Sequence, residues 1–194
     1  MKRLCPLLAT FLTACALFVH PGALSAKPVD FDRPRMMFSL GIDAFDYFVG
    51  SFGDAADVGL SLYGEVAIQV GYFGGSLRFG SSRAFTNKDF LPYDEGFQHI
   101  FITAAPRFYI PLYKRTYLYL ILQPQASIRF LQSNTLVTIT GNDSLTGAAG
   151  GSLGLQFITG IISITGLVAL EYDFRLSSIL LTGGLSIGLT STIN

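Results

Sequence analysis

From residue 36 almost to the end of the chain, apolar and polar residues alternate with period two, and that rhythm dictates extended strands. In the stretch 116–130, Leu118, Leu120, Leu122, Pro124, Ala126, Ile128 and Phe130 share one face. Tyr117, Tyr119, Ile121, Gln123, Gln125, Ser127 and Arg129 share the other. Over 58–72, Val58, Leu60, Leu62, Val66, Ile68 and Val70 oppose Ser61, Tyr63, Glu65 and Gln69. Six further stretches (36–47, 75–85, 98–110, 150–159, 161–175 and 179–191) repeat the pattern less cleanly, which makes eight strands. Many run to 12 residues or more, well past the usual ~5–6 of soluble sheets and enough for a tilted membrane strand of about 9–11. No apolar run after residue 26 reaches the ~18 residues of a helical span. The nearest, Ile158 to Leu170, is broken by Gly160 and Gly166 and is rich in β-branched residues that suit a strand.

A soluble β-sandwich shows the same alternation, so composition has to choose. Half of the residues are hydrophobic, only 13% are charged and the mean hydropathy is +0.48, whereas a soluble domain carries about a quarter charged residues. Such apolarity points to a membrane, which is spanned only by helices or by closed barrels. The connections agree. In order they are 48–57, 73–74, 86–97, 111–114, 132–149, Gly160 and 176–178, so that long and short alternate through the first six. Outer-membrane barrels have short periplasmic turns and longer outside loops, and an even strand number places both termini in the periplasm. Leu136–Thr140, inside the longest connection, leaves ten strands as an alternative. Aromatic residues near strand ends (Phe45, Tyr47, Phe48, Phe85, Phe97, Tyr109, Tyr113, Phe130, Tyr172 and Phe174) suggest interfacial girdles.

The N-terminus reads as an export signal. Met1-Lys2-Arg3 is basic, Leu4 to Val19 is apolar, His20-Pro21-Gly22 breaks the helix, and small residues at Ala23, Ser25 and Ala26 suit cleavage after Ser25 or Ala26. The alternative is an uncleaved anchor. Both cysteines, Cys5 and Cys15, fall in this segment, so a mature chain has no disulfide framework. Leu12-Thr13-Ala14-Cys15 matches a lipobox and makes Cys15 a candidate for lipidation, although Ala16 to Val19 continue the apolar run. Without Lys2 and Arg3 the mature chain keeps 11 Lys/Arg against 13 Asp/Glu, a balance that gives no footprint for nucleic acid. The expected organisation is a signal peptide at 1–26, a short periplasmic tail at 27–35 with Pro28 and Pro34, and a barrel at 36–194.

With strands, loops and signal in place, residues 36–194 resemble the small outer-membrane barrels: the transmembrane domain of OmpA, OmpX and the OmpW group. The resemblance lies in pattern rather than motif. It implies an all-β, antiparallel up-and-down transmembrane barrel of eight strands in the outer membrane of a diderm bacterium. It further implies insertion by the barrel-assembly machinery, contact with outer-membrane lipid and a monomeric state. Proteins of this class usually end in an aromatic residue, whereas this chain ends Thr190-Ser191-Thr192-Ile193-Asn194.

If the apolar faces meet lipid, Asp43, Glu65, Arg78, Arg107, Arg129, Glu171, Asp173 and Arg175 point inward. Charges buried in so narrow a lumen have to pair, and eight strands leave an interior that side chains just fill. The expectation is an occluded barrel with a structural role or a gated passage for small solutes, with Glu65 meeting Arg78 across the hairpin near Gly74. Three other readings stand beside it. One is adhesion or host interaction, binding an extracellular ligand through loops that carry Phe52, Asp54, Asp57, Lys88, Asp89, Phe90 and Tyr93. Another is a hydrophobic small-molecule channel of OmpW type, which needs an apolar lumen, with Phe101, Ile121 and Leu167 pointing inward. The third is a lipid A-modifying enzyme. It fares worst, because His99 is the one histidine after residue 26, no nucleophile is identifiable, and Phe101 stands where the lipid A deacylases carry a serine. No catalytic set, cofactor or metal site is expected, since one His and no Cys do not make the usual ligand sets.

Overall fold

The structure, a computed structural model, describes residues 33–50, 56–86, 97–112, 118–132 and 144–193. The expected signal peptide, with Cys15, and the 27–32 part of the tail lie outside these residues. Eight strands follow in order: β1 (Arg35–Gly50), β2 (Ala56–Val70), β3 (Phe73–Thr86), β4 (Phe97–Pro111), β5 (Leu118–Leu131), β6 (Leu145–Thr159), β7 (Ile162–Asp173) and β8 (Ser178–Thr192). Each pairs antiparallel with its neighbours, and β8 returns to β1 from Arg35↔Thr192 to Gly50↔Ser178, closing the barrel. Closure removes every free strand edge, the condition for a sheet in hydrocarbon.

Several boundaries differ from the sequence reading. Arg35, assigned to the tail, opens β1, and β6 begins at Leu145, within the expected loop. The β2–β3 hairpin turns at Gly71-Tyr72, because Val70 pairs with Phe73. The ten-strand alternative falls: β5 pairs directly with β6 from Leu118↔Phe157 to Phe130↔Leu145, leaving no place for a strand between them. Leu136–Thr140 lies outside the described residues. The long–short alternation of connections holds, with two-residue turns at 71–72 and 160–161 at the end of the barrel that also holds the start of β1 and the end of β8.

The pleat separates two sets of side chains. Leu40 is 76% exposed, Ile187 65%, Phe79 58% and Leu62 57%, with many other large apolar side chains on the same outer surface. A soluble monomer seldom exposes contiguous apolar patches beyond a few hundred Å², so this belt requires an apolar solvent. Aromatic rings frame it. Tyr72, Phe73 and Phe108 are exposed at the end of the short turns, and Phe130, Tyr172 and Phe174 at the other. Phe73 meets Phe108, and Tyr172 meets Phe174, in edge-to-face contacts at 5.7 Å. Tyr109, expected in a girdle, is instead fully buried, because its odd position on β4 faces the lumen.

Gly71 and Gly160 both have φ of +58° at the first residue of a two-residue turn, where a hairpin turn favours glycine. A Cβ at Gly160 would meet nothing within 4 Å, so only backbone strain opposes a side chain there. Gly160→Ala is therefore expected to cost about 1–2 kcal/mol, measured by urea unfolding in lipid vesicles. Unchanged stability would contradict the strained turn.

Candidate functional site: the barrel lumen

The inward faces build three zones along the barrel. At the end of the short turns, Met37, Ala67, Tyr109, Tyr119, Ile121 and Ile158 pack into an apolar layer, with rings Tyr109 and Tyr119 edge to face at 6.3 Å. Gln156 reaches across from β6, its Nε2 3.3 Å from Met37 Sδ. Side chains from opposite walls therefore meet and fill the interior at this level, as expected for eight strands.

Above this layer runs a connected polar network. Glu65 on β2 and Arg78 on β3 are direct cross-strand partners, and Arg78 Nε and Nη2 both donate to Glu65 Oε2 at 3.3 Å. Arg78 also lies over the Tyr63 ring, 4.2 Å from its centroid. From β4, Arg107 Nη2 donates to the same carboxylate oxygen at 2.5 Å, while its Nε donates to Gln123 Oε1 at 2.6 Å. Gln123 Nε2 donates to Gln125 Oε1 at 3.1 Å, and Gln125 Nε2 to Glu171 Oε1 at 2.8 Å. Ser127 Oγ joins Glu171 Oε1 at 2.5 Å and shares a hydrogen bond with Thr103 at 2.8 Å. Arg129 binds Glu171 through Nη2 and Asp173 Oδ2 through Nη1, the latter at 3.0 Å. Thr146 on β6 closes the chain on Asp173 Oδ1 at 2.6 Å. Three guanidinium groups and three carboxylates thus make up this run of bonds, and the buried carboxylate of Asp43 lies near Arg78 as well. All six charged side chains are nearly fully buried, and each ion has a partner of opposite sign, the condition under which burial is tolerable.

The third zone is a polar cavity of about 30 Å³ in the half of the barrel away from the short turns. Asp43, Ser61, Arg78, His99, Gln125 and Arg129 are among its lining residues. That is enough space for one or two water molecules. Asp43 reaches it from the last regular position of β1 before a bulge. His99 is buried on β4 beside Phe101, so the one histidine after residue 26 belongs to the lumen wall.

Seven of the eight expected lumen charges are buried in the interior. The eighth, Arg175, is exposed in the turn between β7 and β8. The expected alternation runs two residues past the strand, since β7 ends at Asp173. Asp173 serves both the lumen and that turn: its Oδ1 accepts from the backbone N–H groups of Arg175 at 3.1 Å and Leu176 at 3.0 Å. The glutamines that link the two ion-pair centres carried no separate sequence signal, although their parity placed them inside. Phe101, Ile121 and Leu167 are buried as expected. Of the loop residues, Asp57 falls in β2, while Phe52, Asp54, Lys88, Asp89, Phe90 and Tyr93 lie outside the described residues.

Solved structures share this architecture. Neisserial surface protein A (NspA) matches with a TM-score of 0.57 at 12% identity, over 82% of this chain and 97% of that one. Ail, the attachment invasion locus protein of Yersinia pestis, matches at 0.47 and 18% identity, over 82% and 99% of the two chains. No protein-family model and no curated protein matches. The fold is therefore that of the small eight-stranded outer-membrane β-barrels.

Truncating one member of the network strands a buried charge. Glu65→Ala is expected to cost about 3–5 kcal/mol, and a double-mutant cycle with Arg78→Ala should give a coupling of about 1–3 kcal/mol. Unfolding of the four proteins in vesicles measures this. Additive effects would show that the pair contributes no coupling.

Proposed function

We propose that this chain is an integral outer-membrane barrel, held closed at rest by its internal ion-pair network, which acts as a gate for small solutes. The belt of exposed apolar side chains between two sets of aromatic rings supports the membrane placement. The single observation that carries the gate is the unbroken run of hydrogen bonds from Arg78 through Glu65, Arg107, Gln123, Gln125 and Glu171 to Arg129, Asp173 and Thr146. It links side chains from β2 to β7 and lies above an apolar layer, which supports a closed resting lumen. The same charges work against an uninterrupted apolar route of OmpW type. Because every link is non-covalent, exchange of partners among its arginines and carboxylates opens the lumen without stripping an ion of all its partners.

Planar-bilayer recording tests this reading. The wild-type protein is expected to show long closed periods with rare openings, and Glu65→Ala/Arg107→Ala, which removes the central pair while preserving net charge, is expected to raise the open fraction. Steady conduction by the wild type contradicts the closed resting state. Silence in both folded proteins contradicts the gate and leaves a structural barrel.

A further inference from the structure

The ion-pair network draws its members from β2 to β7 and leaves the arc of β8 and β1 to small side chains. Two successive inward rows show this. In one, Tyr63 pairs with Gly41 and Gly41 with Ser186. In the next toward the short turns, Glu65 pairs with Ser39 and Ser39 with Gly188. Tyr63 lies down across this arc from β2. A Cβ at Gly41 would collide with Cζ, Cε2 and the hydroxyl of its ring, and that hydroxyl shares a hydrogen bond with Ser186 on β8. Positive φ is confined to Gly71 and Gly160 among the described glycines, so at Gly41 the ring, and not the backbone, excludes a side chain.

The ring stands between two polar spaces. Away from the short turns, the next inward row joins Asp43 to Ser61, and both line the cavity together with Arg78. Toward the short turns, Ser39 is only half-buried although its Oγ faces the lumen, 3.5 Å from Glu65 Oε1. The interior is therefore not packed full beside it. Arg78 rests on the same ring, 4.2 Å from its centroid, within reach of a cation–π attraction. One side chain thus touches the bare arc, the cavity wall and the first arginine of the network.

We propose that Tyr63 is a positioning residue of the gate. Its ring, laid over Gly41 and tied to Ser186, partitions the lumen along β8 and β1 and steadies Arg78 on Glu65. Lifting the ring from Gly41 joins the cavity to the space beside Ser39. This role rests on the gate proposed above, but thiol labelling needs no conduction, so the two fail separately.

The test places Ser39→Cys in a background lacking Cys5 and Cys15, folds it into nanodiscs and treats it with a trimethylammonium methanethiosulfonate reagent. Mass spectrometry reads the labelling rate. Gly41→Ala adds a methyl group to the lumen yet unseats the ring, and is expected to speed labelling about tenfold, the scale of an overpacked contact. Ser186→Ala and Tyr63→Phe each remove the tie and are expected to speed it about fivefold, with no further gain in the double variant. Ser152→Cys, buried on β6 across the barrel, is expected to keep its rate in all of these backgrounds. A Gly41→Ala rate equal to or below the parent's overturns the role. So does equal acceleration at Ser152→Cys, the mark of a loosened barrel rather than a moved ring. If Gly41→Ala does not fold, Ser186→Ala and Tyr63→Phe decide the question without added bulk, and unchanged rates in both overturn it.

Discussion

A strand wall in hydrocarbon has no water to satisfy its N–H and C=O groups, and this constraint organises the rest of the molecule. It accounts for the closure of β8 on β1, for strands of 12–16 residues and for the outward apolar belt. Closure has its own consequence. Once eight strands meet in a ring, every second side chain points into a narrow interior, and what occupies those positions decides whether the barrel is a pore or a plug.

Here the interior is filled in layers of different chemistry. The apolar layer around Tyr109, Tyr119 and Ile121 excludes water by packing, while the layer above it satisfies buried charge by pairing. Neither is self-sufficient. Arg107 on β4 binds Glu65 on β2 and Gln123 on β5, so the network depends on strands far apart in sequence being held at one height. The network in turn ties the opposite walls together. Function, on this reading, is stored in the pairing pattern rather than in any single residue.

Much of this was legible in the sequence because a strand's period of two needs no tertiary information. The inward position of Glu65, Arg78, Arg107 and Arg129 follows from parity alone, and the meeting of Glu65 with Arg78 follows from a short hairpin. What parity does not convey is where a strand ends, and so the inward position it predicts for Arg175 fails, because β7 stops at Asp173. Nor does it convey register between strands joined by longer connections. Only the pairing of β4 with β5 sets Pro106 opposite Pro124. Tyr109 shows a third gap: its nearness to a strand end suggested a girdle, and its parity, which puts it in the core, was the better guide.

On this account the apolar face of every strand meets lipid and the polar face meets a closed lumen. Nitroxide scanning along β5 tests it most directly, with single cysteines from Leu118 to Leu131 in a background lacking Cys5 and Cys15, reconstituted in vesicles. Labels at even positions should be accessible to oxygen dissolved in the bilayer, and labels at odd positions should be shielded both from oxygen and from a water-soluble nickel reagent. Flat accessibility along the strand, or odd positions open to the nickel reagent throughout, would contradict a lipid-facing belt around a closed interior.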